Sequence, residues 1–188
     1  MKNKIVIGLI GEKGAGKGTI AEYFQKNYGA EHFGTSKILK RTIDSLHLPS
    51  NRENFNKLAL ILKNGFWPSV VIDSLILDIE DSQAKVVIAD GIRMYGDTEP
   101  FRKKYKKNFH FIFITANPQT RYERTKKRKE KDGEDKTSFH QFLMEENEPT
   151  EICIREIGRT ADYIIDNNGT QKELEAQIVK VAKKIFKK

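Results

Sequence analysis

The stretch Gly11-Glu12-Lys13-Gly14-Ala15-Gly16-Lys17-Gly18-Thr19 limits what this chain can fold into more than any other feature. It follows Lys4–Ile10 (KIVIGLI), a continuous β-branched run of the kind that makes a buried parallel strand. A helix opens at its far end, and strand, glycine-rich turn with lysine, then helix is the context of a phosphate-binding loop. Glycines let the backbone curl so that successive N–H groups face inward toward phosphate oxygens. The helix N-terminus adds its partial positive charge. Lys17 can then reach the β- and γ-phosphates of a nucleoside triphosphate and neutralise charge as the bond between them breaks. Gly11, Lys13, Gly14, Ala15, Gly16, Lys17, Gly18 and Thr19 are therefore the expected triphosphate-binding residues. The motif has one departure. The position directly after Lys17, where a hydroxyl usually ligates magnesium, is Gly18, with Thr19 following. A magnesium ion would lean on phosphates, waters and a carboxylate instead.

The rest of the chain supports a three-layer α/β domain with a parallel sheet covered by helices on both faces. Lys85–Ala89 (KVVIA) and Phe109–Thr115 (FHFIFIT) repeat the buried-strand pattern, Tyr163–Ile165 is a short fourth strand, and Glu31–Thr35 is a weaker candidate. Helical stretches lie between them, and β-α-β-α alternation points to a parallel sheet. Residues 36–84 are too long for a simple crossover. Leu58, Ile61 and Leu62, then Val71, Ile72, Leu75, Ile76 and Ile79, have helical spacing, with a break at Asn64-Gly65. This stretch is expected to be a helical, substrate-side insertion within a single domain spanning residues 1–188. Residues 124–147 are polar, contain Asp132-Gly133, and are expected to form a short lid. Leu174, Ile178, Val181 and Ile185 give the last helix one apolar face that should close the sheet.

A second chemical signal stands at the end of the strand Lys85–Ala89. Asp90-Gly91 places a carboxylate at the C-terminal edge of the sheet, where ligands of open α/β folds bind. Asp90 can hold magnesium through water or accept a proton. Arg93, three residues on, can grip an acceptor phosphate. Arg124 and Arg128 are four apart, hence on one helix face, with Arg121 a further candidate.

The Gly-Lys-Gly-Thr form of the loop resembles that of adenylate kinases and their relatives. Thr35-Ser36-Lys37-Ile38-Leu39-Lys40 is similar to the stretch where nucleoside monophosphate kinases touch the acceptor nucleotide through a Thr and, five residues on, an Arg. The resemblance makes Thr35 and Lys40 acceptor contacts, with Lys40, beside Arg41, where the family has the fork of an arginine. Val87 to Arg93 resembles the family's Asp-Gly...Arg element, one residue shorter. Glu123 to Arg128 resembles the lid entry of adenylate kinases, which implies that Arg124 and Arg128 stabilise the transferring phosphoryl group. Ala161 to Thr170 resembles the C-terminal element of dephospho-coenzyme A kinases and puts Asn168 near the donor adenine. Taken whole, the chain resembles small, mostly archaeal P-loop proteins of dephospho-coenzyme A kinase-like or nucleotide kinase-like type. That resemblance implies a five-stranded parallel sheet, ATP and magnesium, and a small phosphorylated acceptor.

Composition narrows the alternatives. No apolar run approaches the roughly 20 residues of a membrane span. The single cysteine, Cys153, excludes an internal disulfide or a multi-cysteine metal site and fits a cytoplasmic protein. Net charge is +8, with 13 Lys and Arg against 12 Asp and Glu over residues 1–100, and 21 against 14 over 101–188. A basic half can serve nucleic acid, but its cations interleave with acids and no recognised nucleic-acid module accompanies them. His32, His47, His110 and His140 are scattered and form no site, and Trp67 and Cys153 read as packing residues. Three functions follow. The first is transfer of the γ-phosphoryl group of ATP to a nucleoside or deoxynucleoside monophosphate. The second is transfer to a hydroxyl such as that of dephospho-coenzyme A, with Asp90 as base. The third is a nucleic-acid-associated or regulatory NTPase.

Overall fold

The computed structural model describes residues 4–128, 137–147 and 149–187, apart from the side chains of Arg52, Arg128, Pro149 and Thr150. Five parallel strands form one sheet in the order β2-β3-β1-β4-β5. They are β1 (Ile5–Ile10), β2 (Glu31–Gly34), β3 (Val86–Asp90), β4 (Phe109–Thr115) and β5 (Tyr163–Asp166). Helix α1 (Lys17–Tyr28) follows the glycine loop. Three helices, α2 (Thr35–Ser45), α3 (Arg52–Gly65) and α4 (Val70–Asp81), fill the stretch before β3. Next come α5 (Glu99–Tyr105), α6 (Pro118–Arg128), α7 (Phe139–Glu145), α8 (Pro149–Gly158) and α9 (Gln171–Ile185).

The strands alternate their side chains between two cores, as a period of two requires. On one face Val6, Val87, Phe109 and Phe111 pack with Ile72, Leu75 and Ile79 of α4, Phe101 of α5 and Ile154 of α8. On the other, Ile7, Ile88, Ile112 and Ile165 pack with Ile20 and Phe24 of α1 and Leu174 and Ile178 of α9. Each fully buried side chain of this size contributes about 1.5–3 kcal/mol. Thr170 and Glu173 close a reciprocal capping box that starts α9. The weak fifth strand is real: β2 pairs with β3 in register, Gly34 opposite Asp90. On its other side Asp90 sits opposite Leu9 of β1. Asp90 thus stands on the C-terminal edge of the sheet, next to the strand that carries the glycine loop.

The helices between β2 and β3 are anchored unevenly. Val71, Ile72, Leu75, Ile76 and Ile79 of α4 are all buried. None of the described side chains of α3 is. Leu60 and Ile61 are exposed, as are Phe66 and Trp67 just beyond the helix. Trp67 is therefore not the core residue the sequence suggested; its indole N–H donates to Asp73 at 2.8 Å. No single helix among the described residues is long and apolar enough to cross a membrane.

Candidate functional site

The loop between β1 and α1 has the backbone that its glycines allow. Gly14 (φ 78°) and Gly16 (φ 111°) lie in the left-handed region that side chains disfavour. Gly16 caps α1, accepting the N–H groups of Thr19 at 3.1 Å and Ile20 at 3.4 Å. The loop is also pressed from behind. A Cβ on Gly14 would meet the Arg121 carbonyl at 2.5 Å, and one on Gly16 would meet the Asn167 amide nitrogen at 2.5 Å. Asn167 is the buried tie that closes this side. Its side chain donates to the Ala15 carbonyl at 2.7 Å, and its N–H donates to Thr115 O at 2.8 Å.

Lys17 folds back over its own loop, donating to the Gly11 carbonyl at 2.6 Å and to that of Glu12 at 3.4 Å. Burial pulls its amine below the usual lysine range. The Asp90 carboxylate works against that shift, Arg93 adds to it, and Glu151 and Glu12 oppose it. The loop lysine, the sheet-edge carboxylate and Arg93 therefore share one electrostatic environment, although they are up to 76 residues apart in sequence. Burial also works against the Asp90 carboxylate. His32 and Lys17, with the Gly91 N–H at 2.7 Å, outweigh it and hold the carboxyl below the usual range.

His32 Nε2 lies 3.6 Å from Asp90 Oδ2. His32, which the sequence left apart from every candidate, therefore stands beside one, since pairing of β2 with β3 brings the two together.

Glutamates neutralise most of the cations around the loop. Arg93 donates to Glu151 of α8. Arg121, fully buried, holds Glu146 through both terminal nitrogens and also donates to the carbonyls of Ala116 and Lys13. Arg155 bridges Glu12 (3.0 Å) and Glu146 (3.3 Å), and Lys13 pairs with Glu145 at 3.5 Å. Glu12, Glu146, Glu151 and Arg155 line a small cleft beside the loop. Glu12 Oε2 is buried there without a hydrogen bond in the structure.

The other candidates are placed as follows. Thr35 starts α2 against Gly91, with its hydroxyl 3.5 Å from that carbonyl. Gly91 has φ 94°, and a Cβ there would stand 2.0 Å from Thr35 Oγ1, so the turn after Asp90 and the start of α2 fit only with glycine. Lys40 does not join this group. It pairs with Asp44 at 2.6 Å and lines a cleft with Glu31, Lys37, Arg41, Asp78 and His32, the neighbour of Asp90. Arg124 donates to Asn167 O at 2.9 Å, so it braces the loop from the β5 side. The Arg128 side chain and residues 129–136 of the expected lid lie outside the described residues. Asn168 accepts from the Asn117 N–H at 2.7 Å and is exposed; its neighbour Asn167 is the residue on the loop. Arg155 and Glu151 were not singled out in the sequence, and Glu146 was read only as part of the polar stretch 124–147.

A Cβ built on Gly18 meets nothing within 4 Å among the described residues, so the position after Lys17 faces open space. No group of three or more potential metal ligands converges among the described residues. The carboxylates beside Lys17 are compatible with a hydrated magnesium ion held mainly by phosphates, whose waters Asp90 would order. They do not fit a cage of direct protein ligands.

This architecture is a P-loop kinase-like fold. Over 96% of its length the chain resembles a shikimate kinase from Bacteroides thetaiotaomicron, with TM-score 0.61, 14% identity and 98% of that chain covered. It likewise resembles a gluconokinase from Sinorhizobium meliloti, with TM-score 0.56, 14% identity, 99% of this chain and 98% of that one. Residues 10–140 match the AAA domain family, and the chain belongs to that family. It is also 26% identical over 185 residues to a UPF0200 protein of Pyrococcus horikoshii, covering 97% of this chain and 98% of that protein.

Proposed function

We infer that the protein transfers the γ-phosphoryl group of ATP to a small acceptor that already carries a phosphate, most simply a nucleoside or deoxynucleoside monophosphate. The observation that carries this is the placement of Asp90 and Arg93 at the end of β3, beside the end of β1 from which the Lys17 loop leaves, where Lys17 feels both charges. The loop amides and Lys17 hold the triphosphate. Arg93, released from Glu151, grips the acceptor phosphate, with Thr35 at the edge of the same turn. Arg124 and Arg128 belong to the side that closes over the reacting groups and excludes water. In this reading α2–α4 are the acceptor-side insertion and 124–147 the lid of one domain, and a cytoplasmic setting goes with it. Magnesium, when bound, supplies charge neutralisation between the β- and γ-phosphates.

A phosphate oxygen is ionised at neutral pH and needs no base. The Asp90 carboxyl, held below its usual range, is a weak base and a good water-ordering carboxylate. That favours a phosphate over a hydroxyl acceptor. The hydroxyl reading keeps one observation in its favour: His32 stands beside Asp90, as a partner of a catalytic carboxylate would. The test is a dinucleoside pentaphosphate, which joins a triphosphate-like and a monophosphate-like end. Linked occupation of two sites should bind it at least about 10²-fold more tightly than ATP. Binding no tighter than ATP would contradict the phosphate-acceptor reading.

The Arg93–Glu151 pair yields a prediction of its own. Glu151→Gln should free Arg93 and tighten monophosphate binding by a few-fold. The gain is about 1 kcal/mol or less, because Arg93 is 44% exposed. Calorimetry on both proteins checks it, and weaker binding in the variant would show Glu151 helping rather than blocking Arg93.

The basic half also makes a prediction. Arg102 pairs with Asp162 and Lys104 with Glu80, so part of its charge is already spent locally. Binding to single- or double-stranded oligonucleotides should be weak and should collapse between low and physiological salt. Submicromolar, sequence-selective binding at physiological salt would favour the NTPase reading instead.

A further inference from the structure

Asp97 is almost completely buried, seven residues after Asp90, and outside the residues used so far. A buried carboxylate is costly unless its oxygens are satisfied, and here the donors come from two parts of the fold. Oδ2 accepts the backbone N–H groups of Arg93 and Met94, both at 3.0 Å. Oδ1 accepts the ammonium of Lys63 at 2.5 Å. The turn that folds Asp97 back is tight: its own N–H donates to the Met94 carbonyl at 3.1 Å, and Gly96 has φ 83°. Asp97 therefore fixes the backbone from which the Arg93 side chain leaves. Lys63 comes from the last turn of α3. Its side chain is 11% exposed, against 3% for that of Asp97. With no buried apolar side chain among its described residues, α3 has this ion pair as a buried tie to the sheet edge.

We propose that the Lys63–Asp97 pair is a positioning latch: Asp97 places Arg93 for the acceptor, and Lys63 couples that placement to helix α3. The proposal rests on the reading of Arg93 as the acceptor-phosphate grip. Movement of α3 when an acceptor enters is then transmitted to the guanidinium through one buried carboxylate. Neither residue touches the triphosphate loop, so the coupling acts on the acceptor and leaves the donor alone.

The test uses Lys63→Met, which keeps the stem and removes the charge, and Lys63→Arg, which keeps the charge. The first readout is hydrogen exchange of the unliganded full chain. In Lys63→Met the Arg93 and Met94 amides should exchange at least about fivefold faster, together with the last turn of α3, and Lys63→Arg should restore them. The second is steady-state transfer from ATP to AMP, CMP, GMP and UMP. Lys63→Met should raise KM for the best monophosphate about tenfold or more. KM for ATP should stay within about twofold, the result for a site outside the coupling. Fluorescence of Trp67, the only tryptophan, should change on adding that monophosphate to wild type and change less in the variant. Unchanged exchange at Arg93 and Met94, or equal loss of ATP and monophosphate affinity, would overturn the latch. If no monophosphate is phosphorylated by wild type, the functional reading fails, while the exchange experiment still decides the latch.

Discussion

Lys17→Ala should reduce phosphoryl transfer by about 10²-fold or more while the protein remains folded. Lys17 is a partly exposed side chain lying across its own loop, hydrogen-bonded to Gly11 O and Glu12 O and not part of either core. Removing the amine leaves both cores intact. What is lost is a preorganised cation aimed where charge develops, on the order of 3–4 kcal/mol. Turnover against ATP concentration, paired with thermal unfolding, checks this. A variant with wild-type turnover and unchanged unfolding temperature would mean that the loop does not serve catalysis.

Asp90→Asn should lower magnesium-dependent turnover severely, with part of the loss restored by excess magnesium. The carboxylate is ionised well below neutral pH, because His32, Lys17 and the Gly91 N–H outweigh the burial that opposes its charge. A depressed carboxyl adds stability above its unfolded pKa of about 3.9 and loses it as pH falls through the folded value. Wild type should thus be destabilised relative to Asp90→Asn only in strong acid. Turnover across magnesium concentration and pH separates two roles. A deficit that no magnesium level relieves, with loss of the acidic limb of the pH–rate profile, would make Asp90 a base. The hydroxyl acceptor would then be the better reading.

The motifs on single local elements were legible in the sequence: the loop after β1, Asp90-Gly91 after β3, and the four strands with continuous apolar runs. Strand β2 was faint because its four residues include a glutamate and a glycine, and only pairing with β3 defines it. His32 was invisible as a site residue for the same reason, since its partner lies 58 positions away. The ion pairs were beyond reach too. Arg155 meets Glu12 across 143 residues and Arg93 meets Glu151 across 58, so nothing local in the sequence pairs them. Lys40 keeps the family spacing from Thr35, but its side chain has a partner one helical turn on, in a cleft it shares with His32. Asn168 accepts from Asn117 at the surface, while its neighbour Asn167, which the sequence did not single out, makes the buried contact with the loop.

One measurement bears most directly on the central claim: transfer of label from γ-labelled ATP across a panel of nucleoside and deoxynucleoside monophosphates, dephospho-coenzyme A and oligonucleotides, with wild type and Lys17→Ala run side by side. The account predicts magnesium-dependent labelling of one or a few monophosphates as diphosphates, abolished in the variant. Label appearing only in dephospho-coenzyme A, only in oligonucleotides, or only as inorganic phosphate at the same rate in both proteins would contradict it.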